Sequence, residues 1–220
     1  MAKRFGFTLA EVLITLGIIG VVAAMTIPTL ISNTNGAQFK SAYKKALSTL
    51  NQAILMNIAL EDTDFSTVKA ETGDVTSPTA GTVADILGKR LVSATVAEIP
   101  TIYTTDENAP LAGNVDLGGN ETAANGIDTI VKLADGTAFL YNSEDSDCTA
   151  DSKCLGFIDA NGETLPNTVT TCSGDTEEGG TDTTTCKVEA ADVHDLFPVW
   201  YYGQTIEPAS DAARAVLFGK

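Results

Sequence analysis

Basic side chains are scarce in this sequence. Its 220 residues include 13 lysines and arginines against 29 aspartates and glutamates, a net charge of −16. Outside the N-terminus they cluster only at Lys40, Lys44 and Lys45. DNA-binding proteins neutralise phosphates with lysines and arginines grouped on one surface. The balance therefore disfavours direct nucleic-acid binding and is typical of a soluble domain outside the cytoplasm.

Motifs for catalysis are also missing. The single histidine, His194, lies between Asp192 and Asp195, but no G-x-S-x-G sequence supplies a nucleophile for such a pair. The glycine-rich loop that binds nucleotide phosphates is missing too. We therefore predict no enzymatic activity, and we expect the segment Asp195–Phe197, with nearby Trp200, to close a β-sheet.

Incomplete motifs argue against a metal site. Asp159 to Glu163 offers oxygen ligands at alternate positions, the spacing that calcium loops use. However, Gly162 stands in the wrong place for an EF-hand and the closing bidentate glutamate is missing. An Asn161-Gly162 β-turn is favoured instead. No metal site and no cofactor are predicted.

The dominant feature of the sequence is an apolar stretch, Gly6 to Ile31, behind the basic leader MAKRF. It is about 25 residues long, more than the ~20 that a helix needs to cross a bilayer core. Its one charge is Glu11. Because Lys3 and Arg4 precede it, the positive-inside rule keeps residues 1–6 in the cytoplasm and directs the rest of the chain outward.

A conventional secretory signal peptide is one alternative, because Val22-Ala23-Ala24 resembles a small-residue cleavage site. Two observations argue against it. A carboxylate such as Glu11 inside an apolar run costs roughly 2.5–3.5 kcal/mol on insertion scales and is usually functional. The residues after Ile31 also continue a helix with an apolar face, where a signal peptide would give way to a mature domain.

The residues KRFGFTLAEVLITLGIIGVVAAMTIP resemble the prepilin N-terminus of type IV pilins and type II secretion pseudopilins. In that family a membrane peptidase cuts after the glycine, here Gly6, and N-methylates the new first residue, here Phe7. Glu11 matches the family's glutamate at the fifth mature position, and Pro28 its proline at the twenty-second. The resemblance implies that Glu11 pairs with the terminal amine of a neighbouring subunit during assembly.

The same resemblance implies a structural subunit of a type IV pilus or a type II secretion pseudopilus. Its expected partners are copies of itself or other pilins and pseudopilins, the prepilin peptidase, the membrane, and the inner-membrane assembly platform with its ATPase. The precursor would cross the inner membrane once, with its head outside the cytoplasm, and then enter a periplasmic pseudopilus or an extracellular pilus. The alternatives are an exported binding or catalytic domain behind a signal peptide, and a single-helix membrane protein that never polymerises.

Apolar spacing predicts a continuous helix over residues 7–60. We divide the chain into a leader (1–6), a transmembrane and assembly helix (7–31), its amphipathic continuation (32–60) and a head domain (61–220). Pro28 predicts a kink or an unwound turn. In the second half a stripe at three- and four-residue spacing needs a sheet or helices to cover it: Phe39, Ala42, Tyr43, Ala46, Leu47, Leu50, Ala53, Ile54 and Ile58.

The head shows the pattern of an antiparallel sheet. Ile127–Leu133 and Thr137–Tyr141 flank Ala134-Asp135-Gly136 and predict a hairpin. Cys154–Ile158 and Pro198–Tyr202 predict two further strands. A sheet laid on the outer half of the long helix gives an α+β fold, which is also the architecture that the resemblance implies.

The other head segments have weaker signals. Thr82-Val83-Ala84-Asp85 resembles a capping box and predicts a short helix. Ile99–Tyr103 fits a short strand or an irregular segment. Three segments are rich in glycine, proline or small polar residues. We predict a connecting loop at Glu61–Pro78, a surface loop at Asn108–Asn125 and an exposed insertion at Thr168–Thr185.

The four cysteines are Cys148, Cys154, Cys172 and Cys186. None forms a C-x-x-C pair, which disfavours zinc and redox motifs. An even number in an exported domain indicates disulfides, and three pairings are open. The local pairing joins 148 with 154 and 172 with 186 and closes short loops. These two disulfides would contribute about 2.4 and 3 kcal/mol to the free energy of unfolding.

Overall fold

The computed structural model describes residues 8–104, 109–111, 113, 115–118, 121–123, 126–172 and 186–219. Its helices are α1 (Leu9–Glu61), α2 (Val83–Arg90) and α3 (Asp211–Phe218). Its strands are β1 (Thr95–Glu98), β2 (Val115–Gly118), β3 (Glu121–Ala123), β4 (Thr129–Lys132), β5 (Ala138–Tyr141), β6 (Cys154–Asp159), β7 (Leu196–Tyr202) and β8 (Thr205–Pro208).

Helix α1 is one element of 53 residues. Thr8 caps its N-terminus, and at its C-terminal end the Asp62 N–H donates to the Ile58 carbonyl. The predicted long helix is thereby confirmed from Leu9 onward. Helical backbone continues through Pro28, so the unwound turn predicted there is not seen in the described helix. A proline removes one backbone hydrogen bond, and the neighbouring turns keep the remainder.

The outer half of α1 buries the predicted stripe against a β-sheet. Tyr43 stacks on Phe197 of β7, with ring centroids 4.1 Å apart, and Leu50 and Ile54 are fully buried. Burying one apolar side chain of this size contributes roughly 1.5–3 kcal/mol to the stability of the folded state. The stripe therefore fixes the head to α1 over several turns.

The sheet has six strands in the order β1-β4-β5-β6-β7-β8, and all neighbours are antiparallel. The predicted hairpin corresponds to β4 and β5, and the two further predicted strands to β6 and β7. Together with α1 this confirms the α+β, pilin-like architecture. Helix α2 begins at the predicted cap, where the Thr82 side chain accepts a hydrogen bond from the Asp85 N–H.

The far face of the sheet carries a second core that the sequence analysis missed. Leu111, Val115 and Leu117 are buried there together with Tyr103 and other side chains. The prediction of a surface loop over Asn108–Asn125 is therefore wrong in part, because β2 and β3 form a small hairpin in this stretch. Its apolar residues are sparse, but they recur at alternate positions and cover the sheet.

Three smaller differences concern segment boundaries. The strand lies at Thr95–Glu98, and Thr101–Tyr103 is a 3-10 turn. Strand β8 and helix α3 had no predicted counterpart. The exposed segment predicted over Thr168–Thr185 begins too early, because Thr170 is 1% exposed and Val169 forms a β-bridge with Leu196; residues 173–185 lie outside the described ranges.

Candidate functional site: an exposed apolar helix

The inner half of α1 presents apolar side chains that nothing in the described chain covers. Between Leu9 and Ile31 the large apolar side chains are 43–80% exposed. The most apolar window of α1 has a mean hydropathy of 2.2, and none of it is buried. Monomeric soluble proteins rarely expose an apolar surface of this extent. At ~1.5 Å per residue this half is long enough to cross a bilayer core.

Glu11 lies in the first turn of this exposed helix and forms a reciprocal cap with Thr8. Its carboxylate accepts hydrogen bonds from the Thr8 backbone N–H at 2.8 Å and from the Thr8 hydroxyl at 2.7 Å. The Thr8 hydroxyl in turn accepts one from the Glu11 N–H at 3.3 Å. Glu11 is the one charged side chain of the described helix before Lys40, and no ion pair to it is found among the described residues.

The other predicted assembly residues lie on or before this helix. Pro28 is inside α1, whereas Gly6 and Phe7, the predicted cleavage and methylation positions, lie outside the described residues. A Cβ added at Gly17 or Gly20 would meet no atom within 4 Å. The backbone at these two glycines is therefore accessible to another helix or to lipid.

A junction between the exposed and the packed halves of α1 was missed by the sequence analysis. A Cβ at Gly36 would overlap the Ala190 carbonyl oxygen. Close by, the Ser32 hydroxyl donates to the Ala191 carbonyl at 3.2 Å, and the Lys40 ammonium donates to the Gly219 carbonyl at 3.1 Å. The signal in the sequence is a helical glycine directly after the polar run Ser32–Asn35. Its partner is more than a hundred residues away and cannot be found from the sequence alone.

Two disulfides connect the cysteines in the local pairing. Cys148 bonds to Cys154 and Cys172 to Cys186, with Cα–Cα distances of 5.4 and 5.3 Å. The backbone of Cys148 also bonds to Phe65 and Gly203. The first disulfide therefore joins the loop before β6 to the start of that strand, and the backbone hydrogen bonds of Cys148 join the loop to the 3-10 turn after α1 and to the β7–β8 turn.

The Asp159 loop forms hydrogen bonds with the second core. The Asp159 carboxylate accepts hydrogen bonds from the Tyr103 hydroxyl at 2.6 Å and from the Asn161 N–H at 2.9 Å. Burial raises the pKa of Asp159 to about 7. Gly162 has a φ of +67°, as the predicted Asn-Gly turn requires. No group of three or more His, Cys, Asp or Glu side chains suited to a metal ion occurs in the described ranges.

The residues around His194 also have structural partners. The Asp195 carboxylate accepts hydrogen bonds from the backbone N–H groups of Asn167 and Thr168, both at 2.7 Å. The Thr170 hydroxyl bonds to the backbone N–H and C=O of His194. Asp195 therefore orders the segment that lies beside β7. This strand begins at Leu196, two residues before the predicted start at Pro198.

Comparison with known proteins gives a match at the N-terminus of the chain. Residues 1–27 match the family model described as the prokaryotic N-terminal methylation motif. This motif is the signal of type IV pilins and pseudopilins, and it implies processing by a prepilin peptidase followed by polymerisation. Searches of curated proteins and of solved structures give no significant match. The motif and the exposed apolar helix together fit a membrane-anchored precursor.

Proposed function

We propose that this protein is a structural subunit of a type IV pilus or a type II secretion pseudopilus. In this proposal the peptidase removes residues 1–6 and methylates Phe7. The subunit then assembles through the inner half of α1. Its role is structural, and the chemistry performed on it belongs to the peptidase.

The observation that carries the proposal is the inner half of α1, which is apolar on all sides and holds one charge. An apolar helix packs almost equally well at several axial shifts against another such helix, so it does not fix the register of a filament. Glu11 lies four residues beyond Phe7 in the sequence, and four residues of helix span ~6 Å. A neighbouring subunit shifted by about this distance would bring its cationic terminal amine to Glu11, and pairing the two charges offsets the cost of burying each alone.

The proposal also includes where the subunit lies before and after assembly. Residues 7–31 span the inner membrane, residues 32–60 carry the head, and the head of residues 61–220 lies outside the cytoplasm. An inner-membrane platform and its ATPase extract the subunit from the membrane, since assembly needs energy that this chain does not supply. The filament is then a periplasmic pseudopilus or an extracellular pilus.

Shearing of filaments from cells tests the proposal. The wild-type chain should appear in the sheared fraction together with other filament subunits. A Gly6→Leu variant should remain unprocessed in the membrane, because a bulky residue blocks a peptidase site that fits around glycine. If the wild-type chain is processed but stays in the membrane fraction of cells that make filaments, it is a single-helix membrane protein and the proposal is wrong. If it is released as a soluble head domain, it is an exported protein behind a signal peptide.

A further inference from the structure

The two edges of the six-stranded sheet differ in how their backbone groups are bonded. Strand β8 forms one edge, and Ile206 directs its backbone groups away from β7. The Asn51 side chain accepts a hydrogen bond from the Ile206 N–H at 3.0 Å and donates one to the Ile206 C=O at 2.9 Å. Pro208 further along the strand has no N–H to offer. The β8 edge is therefore closed by a side chain of α1.

Strand β1 forms the other edge and lacks such a cover. Ile99 donates its N–H to the Asp128 carbonyl at 2.7 Å, and β1 pairs with β4 in the continuing antiparallel register. Because hydrogen-bonded pairs alternate along an antiparallel ladder, Val96 and Glu98 direct their backbone groups away from β4. Within the described ranges no group bonds to these outward N–H and C=O groups.

A groove lies alongside this open edge, between α2 and β1. Its volume is about 440 Å³. Its lining combines the small or apolar residues Pro78, Ala84, Gly88, Ala94 and Val96 with the ion pair of Lys89 and Asp85. A Cβ added at Gly88 would meet no atom within 4 Å, so small apolar side chains from outside have room to enter.

We propose that the β1 edge binds an extended segment of a partner protein, which adds to the sheet as a further strand. The outward backbone groups of Val96 and Glu98 pair with the backbone of that segment, and a small or β-branched side chain of the segment enters the groove. Strand addition of this kind obtains affinity from the backbone and specificity from pockets that accept alternate side chains.

Charge indicates which segment fits. The chain has a net charge of −16. The two ammonium groups at this edge are already paired, Lys89 with Asp85 and Lys132 with Glu163. Glu98 is exposed at the end of β1 and has no ion pair among the described residues, so a basic segment is attracted and an acidic one repelled. A second copy of this chain fits poorly. Its β8 edge is closed by Asn51, and pairing two β1 strands would bring two acidic heads together. The occupant is therefore a basic, extended segment of a different protein.

The test starts from peptides selected on the full chain. A displayed library of random twelve-residue peptides is panned on the protein in detergent micelles, and the enriched peptides are synthesised. We expect them to be basic, with an apolar β-branched residue, and to protect the amides of residues 95–99 from hydrogen exchange. A peptide N-methylated at alternate residues should not bind, since it lacks the donors that face β1.

Two variants locate the site on the chain. Glu98→Pro removes an outward N–H at an edge position that tolerates proline, and Gly88→Leu fills the groove while favouring the helix. Each should weaken peptide binding by roughly tenfold or more, as expected for a lost hydrogen bond with added steric exclusion. The control Glu98→Gln keeps the outward N–H and loses only the exposed charge, so it should weaken binding about threefold, clearly less than Glu98→Pro does. The control Gly88→Ala adds one methyl group where no atom lies within 4 Å and should bind within about threefold of the wild type.

Three results would overturn the proposal. The first is that no peptide is enriched. The second is that the enriched peptides bind Glu98→Pro and Gly88→Leu as tightly as they bind the wild type. The third is that the wild type forms a dimer which Glu98→Pro abolishes, because the occupant of the edge is then a second copy of the chain.

Discussion

The carboxylate of Glu11 accepts hydrogen bonds from both the backbone N–H and the hydroxyl of Thr8 at the start of α1. Glu11 therefore has two separable properties, a polar side chain that caps the helix and a negative charge. A glutamine at this position preserves the reciprocal cap with Thr8 but removes the charge. This allows the role of the charge in assembly to be measured without loss of the cap.

We predict that Glu11→Gln and Glu11→Ala are both processed, held in the membrane and disulfide-bonded, yet absent from sheared filaments. The reason is that neither can pair with the terminal amine of a neighbouring subunit. The measurement is quantitative detection of the chain in the sheared and membrane fractions of cells without the wild-type copy. Normal filament yield from Glu11→Gln would show that the cap is sufficient and the charge is not needed.

Gly36→Ala is predicted to loosen the junction between α1 and the head. The new methyl group would overlap the Ala190 carbonyl, and forcing atoms into packed structure costs typically ~1–3 kcal/mol. Thermal unfolding and limited proteolysis of the full chain in detergent should show a lower Tm and earlier cleavage near residue 190. Gly20→Ala is the matched control, because a Cβ there meets no atom within 4 Å. Equal behaviour of the two variants would contradict the close contact.

The two disulfides should be reduced in a fixed order. Cys148 is fully buried and Cys154 is 8% exposed, whereas Cys172 and Cys186 are both partly exposed. Since thiol exchange requires access to the sulfur, a mild reductant should open Cys172–Cys186 first. Alkylation followed by peptide mass spectrometry gives the order. Simultaneous labelling of all four cysteines in the folded protein would count against this assignment.

Asp159 makes head stability depend on pH in a defined direction. Burial raises its pKa to about 7 in the folded chain, from the ordinary aspartate value of 3.8. At a pH between these two values, the folded state therefore holds a proton on Asp159 that the unfolded state has lost. The associated stability is present at low pH and is lost as pH rises through about 7. The full difference is of the order of 2–4 kcal/mol.

The comparison of wild type with Asp159→Asn isolates this contribution, since asparagine stays neutral at every pH. Between pH 5 and 8 the wild-type free energy of unfolding should fall relative to that of the variant. Chemical denaturation at several pH values measures both. Parallel curves would show that Asp159 does not hold its proton in the folded head.

The elements that the sequence predicts well are those with strong apolar periodicity. The stripe from Tyr43 to Ile54 and the strands around Phe139, Phe157 and Val199 have such patterns, and the structure pairs them. Short edge strands carry little pattern. Thr95–Glu98 and Thr205–Pro208 have four residues each, and their place in the sheet depends on neighbours distant in the sequence.

The residues of the candidate site likewise divide into those with a local sequence signal and those whose contacts depend on distant segments. Glu11 and Pro28 are recognisable because they stand in an apolar run with a distinctive N-terminal pattern. Asn51 and Gly36 are not, because each acts through a segment that lies more than a hundred residues away. A buried pair such as Tyr103 and Asp159, 56 residues apart, is likewise created by the fold and has no local signature.

The central claim, that the chain is a processed filament subunit, is tested most directly by mass spectrometry of its N-terminal peptide from sheared filaments. The account predicts a chain that starts at Phe7 and carries one methyl group on the terminal nitrogen. A filament-derived chain that still begins at Met1 or Ala2, or one that begins after Ala24, would contradict it.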